Sequence, residues 1–139
     1  MRSPVKDYMT SRNVVVAKTD HKFSQVLQFF AQFPVHHIPV VEDDGTVLGM
    51  ISAKDVIKRI YNHYRKHGFD AKLDELDAEH PLNTVMTANP VTIGPEQPLE
   101  EAAKIFENNR FHSIPVVEAG GVCGIITTKD IAKQVLMKR

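Results

Sequence analysis

Apolar positions along the chain follow the same succession twice. Short β-branched runs open each half, NVVVA at 13–17 and PVTI at 90–93, and both read as strands. A helical stripe comes next. Phe23, Val26, Leu27, Phe30 and Ala31 fall at i, i+3, i+4, i+7 and i+8, the spacing of one buried helix face. The counterpart is Leu99, Ala102, Ala103 and Phe106, with Pro98 near the start, where a missing N–H costs a helix little. IPVVE (38–42 and 114–118) predicts a strand, DDG or AGG a turn, and VLGMIS or VCGIIT the returning strand of a hairpin. A helix closes each half, KDVIKRIYNHYRKH stopped by Gly68 in the first and KDIAKQVLMKR in the second.

This succession is an internal repeat with a shift of about 76 residues, the feature to be sought first in any chain. Met9-Thr10 recurs as Met86-Thr87, Asn13 as Asn89, and Ile38 to Glu42 as Ile114 to Glu118. Gly49, Ile51, Lys54, Asp55 and Lys58 recur as Gly124, Ile126, Lys129, Asp130 and Lys133. Two single-residue deletions separate the copies, one near the first strand and one in the hairpin turn, where a preserved unit tolerates them. The predicted organisation is a first repeat at 1–68, an acidic linker with some helix at 69–80, and a second repeat at 81–139. Copies of about 55 residues are small for independent stability, so the two are expected to share one core. The acidic linker also complements the basic segment RIYNHYRKHG before it.

Composition and charge remove several classes. The 139 residues are 42% hydrophobic and 24% charged, ordinary for a folded protein, and 17 basic residues balance 17 acidic ones. A dedicated nucleic-acid binder carries a basic excess, so that class is disfavoured. No apolar run is long enough for a membrane span and the first residues lack the apolar core of a secretory signal. A single cysteine, Cys123, excludes an internal disulfide and fits a reducing compartment, which points to the cytoplasm.

The chemistry concentrates where each hairpin meets its helix. Ser52 with Asp55, and Thr127 with Asp130, have the spacing of a helix-capping box. The frame Gly-apolar-Ile-Ser/Thr-x-Lys-Asp occurs twice, however, each time at a helix N-terminus, where free backbone N–H groups and the helix dipole favour a phosphate. A hydroxyl and a carboxylate there also suit the vicinal hydroxyls of a ribose. One hydroxyl can cap and bind at once.

With these motifs in place, the chain resembles a tandem pair of CBS (cystathionine β-synthase) domains, the arrangement called a Bateman module. The resemblance is carried by MTSRNVVV, HHIPVVEDDGTVLGMISAKD, VMTANPVTI and FHSIPVVEAGGVCGIITTKD, and covers residues 5–61 and 81–137. It implies an α+β fold of two pseudo-twofold-related β-α-β-β-α repeats packed sheet to sheet, with clefts between them for AMP, ADP, ATP or S-adenosylmethionine. One cleft is implied to use Thr10, Val15 and His36 with His112, Ile125, Thr127 and Asp130. The other is implied to use Thr87, Val91 and His112 with His36, Met50, Ser52 and Asp55. In these implied roles the Asp takes ribose hydroxyls, the Ser or Thr supports ribose or phosphate, the apolar residues sandwich adenine, and the histidines reach phosphate. Lys54 and Lys129 either add positive charge or point into solvent.

The clefts are not equivalent. Arg110 stands where the first repeat has Pro34, and Ser113 where it has His37. Pro90 interrupts one first-strand segment, and the Thr127/Asp130 cleft is expected to dominate.

Other candidates carry less. His63 and His67 have the i, i+4 spacing of a metal pair, but no nearby cysteine completes a set, so a solvated helix face is expected and no metal site. His36 and His37 are adjacent on a strand and point to opposite faces. Cys123 aligns with Leu48 and reads as a core residue rather than a nucleophile. Tyr61 and Tyr64 flank basic residues and suit a partly buried helix or a dimer contact better than RNA stacking. No catalytic triad, acid pair or P-loop is found, so the expectation is a non-catalytic, energy-sensing regulator. It would have an adenosine nucleotide as regulatory ligand, no prosthetic group, and output through a protein partner or its own homodimer. The alternatives are a ligand-free scaffold for dimerisation and, more weakly, a nucleic-acid-associated module.

Overall fold

A computed structural model describes residues 2–12, 14–70 and 72–137. Asn13, which opens the first predicted strand and matches Asn89, lies outside the described residues, as do the last two positions of KDIAKQVLMKR. The chain folds into two compact units that take segments from both repeats. The first comprises Val15–Asp43 and Val47–Asn89; the second comprises Met1–Val14, Asp44–Thr46 and Pro90–Arg139.

In the first unit, β1 (Ala17–Lys18) runs parallel to β2 (His37–Val41). β2 forms the predicted hairpin with β3 (Val47–Ser52), and β4 (Thr87–Ala88) adds antiparallel to the far edge of β3. Helix α1 (Phe23–Gln32) carries the predicted apolar stripe, with Phe23 and Val26 fully buried. Helix α2 (Ala53–His67) ends at Gly68, whose φ of +79° suits a residue without a side chain. Two short helices follow, α3 (Leu73–Glu79) and α4 (Leu82–Val85). Asp77 of α3 accepts hydrogen bonds from the Ser24 backbone N–H at 2.7 Å and the Ser24 hydroxyl at 2.8 Å, which caps the start of α1.

In the second unit, a 3-10 turn at Val5–Asp7 and helix α5 (Leu99–Glu107) precede the hairpin of β5 (Ser113–Glu118) and β6 (Gly121–Thr127), which leads into α6 (Thr128–Met137). Single bridges repeat the outer pairings of the first unit. Ile93 pairs in parallel with Val116, as β1 does with β2, and Thr10 pairs antiparallel with Ile125, as β4 does with β3.

Three expectations change. The first strands are shorter than predicted: among the described residues only Ala17 of 14–17 enters a ladder, which Lys18 extends by one position, and only Ile93 of 90–93 forms a bridge. Pro90 has no N–H to offer a partner, and β2 pairs with β1 only at Val40 and Val41. The single shared core is replaced by two clusters. One joins Phe23, Val26, Ile38, Val40 and Ile51 to Leu76, Leu82 and Val85; the other joins Ile93, Leu99, Ile114, Val116 and Ile126 to Val5. Each half therefore enlarges its core with residues from the start of the other repeat, Val5 in one case and Leu82 and Val85 in the other, which offsets its small size.

The third change concerns α2. His63 is not on a solvated face but 2% exposed, because Glu79 and His80 at the end of α3 fold against it. The expected complementarity of the two segments takes this form, with Glu79 pairing to both His63 and His67. No helix among the described residues is long and apolar enough to cross a membrane.

Candidate ligand site

Each hairpin passes into its helix without a loop, so a strand end and a helix N-terminus share one junction. Ser52 is extended at φ −98° and ψ 150°, and its Oγ accepts the Asp55 N–H at 3.1 Å. Both helices are thus capped as the sequence indicates. At the second junction the box closes fully: Thr127 Oγ1 accepts the Asp130 N–H at 3.2 Å, while the Thr127 N–H and hydroxyl donate to Asp130 Oδ2 at 2.9 and 3.0 Å.

The histidines are held beside these caps by backbone bonds. The Ala53 N–H donates to the His36 carbonyl at 2.9 Å, and the Thr128 N–H to the His112 carbonyl at 3.0 Å. Both imidazoles are exposed. The residues after them face the capping positions directly across the ladder, His37 opposite Ser52 and Ser113 opposite Thr127.

The Met-Thr segments complete each arrangement. Thr10 and Ile125 exchange two backbone bonds of 2.9 Å, and Thr87 lies opposite Met50. Glycine makes this approach possible. A Cβ on Gly124 would stand 2.9 Å from the Thr10 carbonyl and 2.5 Å from the Met9 sulfur, and one on Gly49 would collide with the Met86 side chain.

The second unit therefore gathers Thr10, His112, Ile125, Thr127 and Asp130, and the first gathers His36, Met50, Ser52, Asp55 and Thr87. Val15 belongs to the first unit, and Val91 and Arg110 to the second, the last two exposed. Met50 is 8% exposed, so little of its side chain is free to meet a base; Ile125 is half-buried. Lys54 and Lys129 are exposed.

In the sequence Ser113 stands out only by its asymmetry with His37. It is 6% exposed, and its buried hydroxyl has no hydrogen-bond partner among the described residues. Residues opposite on an antiparallel pair share a face, so this orphaned group lies on the Thr127 side of the hairpin. A buried unpaired hydroxyl costs about 1–3 kcal/mol, a cost that a ligand atom would remove. Cys123 packs against the second core, and burial, then the Glu118 charge, push its thiol above its ordinary range, as suits a packing residue rather than a nucleophile.

The CBS domain profile matches residues 5–62 and 82–136. The protein MJ1225 of Methanocaldococcus jannaschii is 26% identical over 133 residues, 96% of this chain, which spans only 43% of that relative's length. The CBS domain-containing protein YhcV of Bacillus subtilis is 27% identical across 94% of this chain and 84% of its own. Among solved structures, CBSX2 in complex with AMP superposes with a TM-score of 0.77 at 26% identity, covering 99% of both chains. The CBS domain pair of MJ0100 gives a TM-score of 0.78 at 21% identity over the whole of both chains, a likeness of fold. The doubled hairpin-to-helix frame, matched by the same profile in each half, shows that this chain belongs to the CBS domain family as a tandem pair, a Bateman module.

Proposed function

We infer that the protein is a non-catalytic regulatory sensor that binds an adenosine nucleotide at its Ser/Thr-x-x-Asp junctions, with AMP the first candidate. The observation that carries this reading is the Thr127–Asp130 junction. It combines a helix N-terminus, a carboxylate with a hydroxyl at 3.0 Å, and the orphaned Ser113 hydroxyl on the same face. The AMP complex of CBSX2, 26% identical over 99% of this chain, supports the ligand class. In this reading Asp130 and Asp55 accept the ribose hydroxyls, Thr127 and Ser52 sit beside ribose or phosphate, and His36, His112 and Arg110 supply charge to phosphate. Thr10, Thr87, Val15, Val91, Met50 and Ile125 form the walls. A soluble nucleotide as ligand suits the cytoplasm.

Binding shifts a conformational balance only as far as the ligand prefers one state, and the output passes to a partner protein or a second copy. The apolar face of α6, where Val135 and Leu136 are 63% and 74% exposed, favours assembly and supports a second reading, a ligand-free dimerisation scaffold. A thermal-shift panel of AMP, ADP, ATP, S-adenosylmethionine and NAD separates the two. Ligand at a hundred times its Kd stabilises by about 2.7 kcal/mol. A shift with any adenosine compound that is lost in an Asp55→Ala/Asp130→Ala double variant supports the sensor. Silence across the panel at millimolar ligand leaves the scaffold.

A further inference from the structure

Away from the junctions, the first unit brings four ligating side chains together. His63 and His67 lie one turn apart on α2; Glu79 ends α3 and His80 is its C-cap. His63 Nδ1 is 3.1 Å from Glu79 Oε2, and His67 Nε2 is 2.7 Å from Glu79 Oε1. His80 Nε2 stands 3.4 Å from the same His63 Nδ1. The donor atoms of His63, His67 and Glu79 all lie within 4.8 Å of one another.

This cluster is poorly served by hydrogen bonds alone. A neutral imidazole carries one N–H. If His63 Nδ1 donates it to Glu79, nothing is left to bridge His63 and His80, and the buried Nε2 is a bare lone pair. If Nε2 carries it, a carboxylate oxygen and an imidazole lone pair face each other at 3.1 Å. Nε2 has no hydrogen-bond partner in either case among the described residues, and the His63 side chain is 0% exposed. A cation held between the facing lone pairs removes the second conflict.

We propose that His63, His67 and Glu79 form a binding site for a divalent transition-metal ion of the zinc class, which ties the inter-repeat helix α3 to α2. Two imidazole nitrogens and one carboxylate oxygen suit zinc, nickel or cobalt, and exclude preference for magnesium or calcium, which take oxygen ligands. Metal–ligand bonds of about 2.0–2.1 Å place tetrahedral donors about 3.4 Å apart. Closing the set therefore moves only the partly exposed Glu79 and His67, 39% and 31%, against a fixed His63. The fourth position falls to water: Arg59 Nη1 lies 3.5 Å from His80 Nδ1, and because a guanidinium only donates, the His80 proton belongs on Nε2, which leaves that atom no lone pair for the ion.

The test uses the whole chain after treatment with a chelator. Zn2+ is added in a thermal-shift titration, and Co2+ is followed by its visible absorption. The expected result is a saturable rise in Tm with Zn2+, a Co2+ band of one equivalent, and no response to Mg2+ or Ca2+. His67→Asn and Glu79→Gln change partly exposed groups and are expected to fold with the parent circular dichroism spectrum. Each should weaken Zn2+ at least tenfold. No Zn2+ shift, an equal shift with Mg2+, or Zn2+ affinity unchanged in both variants overturns the site.

Discussion

The two hairpin-to-helix junctions are written in the same residues and closed differently. At the second, Thr127 and Asp130 exchange three hydrogen bonds, two of them converging on one carboxylate oxygen. At the first, the bond from the Asp55 N–H to Ser52 Oγ stands alone, and the Asp55 carboxylate accepts none among the described residues. The β-branch of threonine restricts its χ1 and steadies the hydroxyl, whereas serine is freer to turn. The difference teaches that a cap can serve as a pre-set binding group. Asp130 is held in place, with no partner for Oδ1 among the described residues; under the proposed function Asp55 would have to be immobilised on meeting a ligand, at about 0.5–1.5 kcal/mol per side chain.

The largest effect should come from the glycines that seat the Met-Thr segments. Gly124→Ala drives a Cβ toward the Thr10 backbone carbonyl, which cannot rotate away; Gly49→Ala meets Met86 side-chain atoms, which can. Overpacking costs typically about 1–3 kcal/mol, so Gly124→Ala belongs near 3 and Gly49→Ala near 1. Urea unfolding of the two variants measures this, and equal losses would remove the asymmetry.

Ligand affinity comes next. Hydrogen bonds to a charged carboxylate contribute about 1.5–3 kcal/mol and tenfold in affinity corresponds to about 1.4, so Asp130→Ala should weaken AMP roughly 10- to 100-fold. Asp55→Ala should weaken it about tenfold or less. Titration calorimetry on the pair decides, and the reverse ranking would mean that free groups matter more than a pre-set one.

The caps themselves should differ by less. Thr127→Ala is expected to cost about 1.5 kcal/mol and Ser52→Ala about 0.7, within the usual range for capping residues. Chemical denaturation of each single variant checks the order. The smallest change lies in the hairpin turns. Ala119 holds φ +51°, a conformation that disfavours a side chain, whereas Gly45 already occupies the turn of the first hairpin at φ +91°. Ala119→Gly should therefore stabilise by about 0.5 kcal/mol, read as a higher urea midpoint.

Much of the fold was legible because its signals are local. The stripe from Phe23 to Ala31, the IPVV hairpins and the Gly68 stop each depend on neighbours a few residues away; the hairpins and the stop stand as read, and the stripe does so up to its last position, where Ala31 is exposed. The caps Ser52 and Thr127 were legible for the same reason. The first strands were over-read, since β-branched runs report a preference for extended backbone but not whether a partner edge is within reach. His63 was misread because i, i+4 spacing says which residues share a helix face and nothing about what covers that face.

By itself the sequence determined that there are two copies of one unit, what elements each contains, and where a hydroxyl and a carboxylate meet a helix N-terminus. These follow from periodicity and capping chemistry, which act over one or two turns of chain. Tertiary structure decided that Met9-Thr10 joins the second hairpin and Met86-Thr87 the first. It decided too that each half keeps its own core, that the buried Ser113 hydroxyl has no partner among the described residues, and that Glu79 closes over His63. The physical reason is common to all of them. Pairing and burial between residues far apart in the chain are set by shape, such as the room a glycine leaves for a methionine, and local pattern carries no record of that fit.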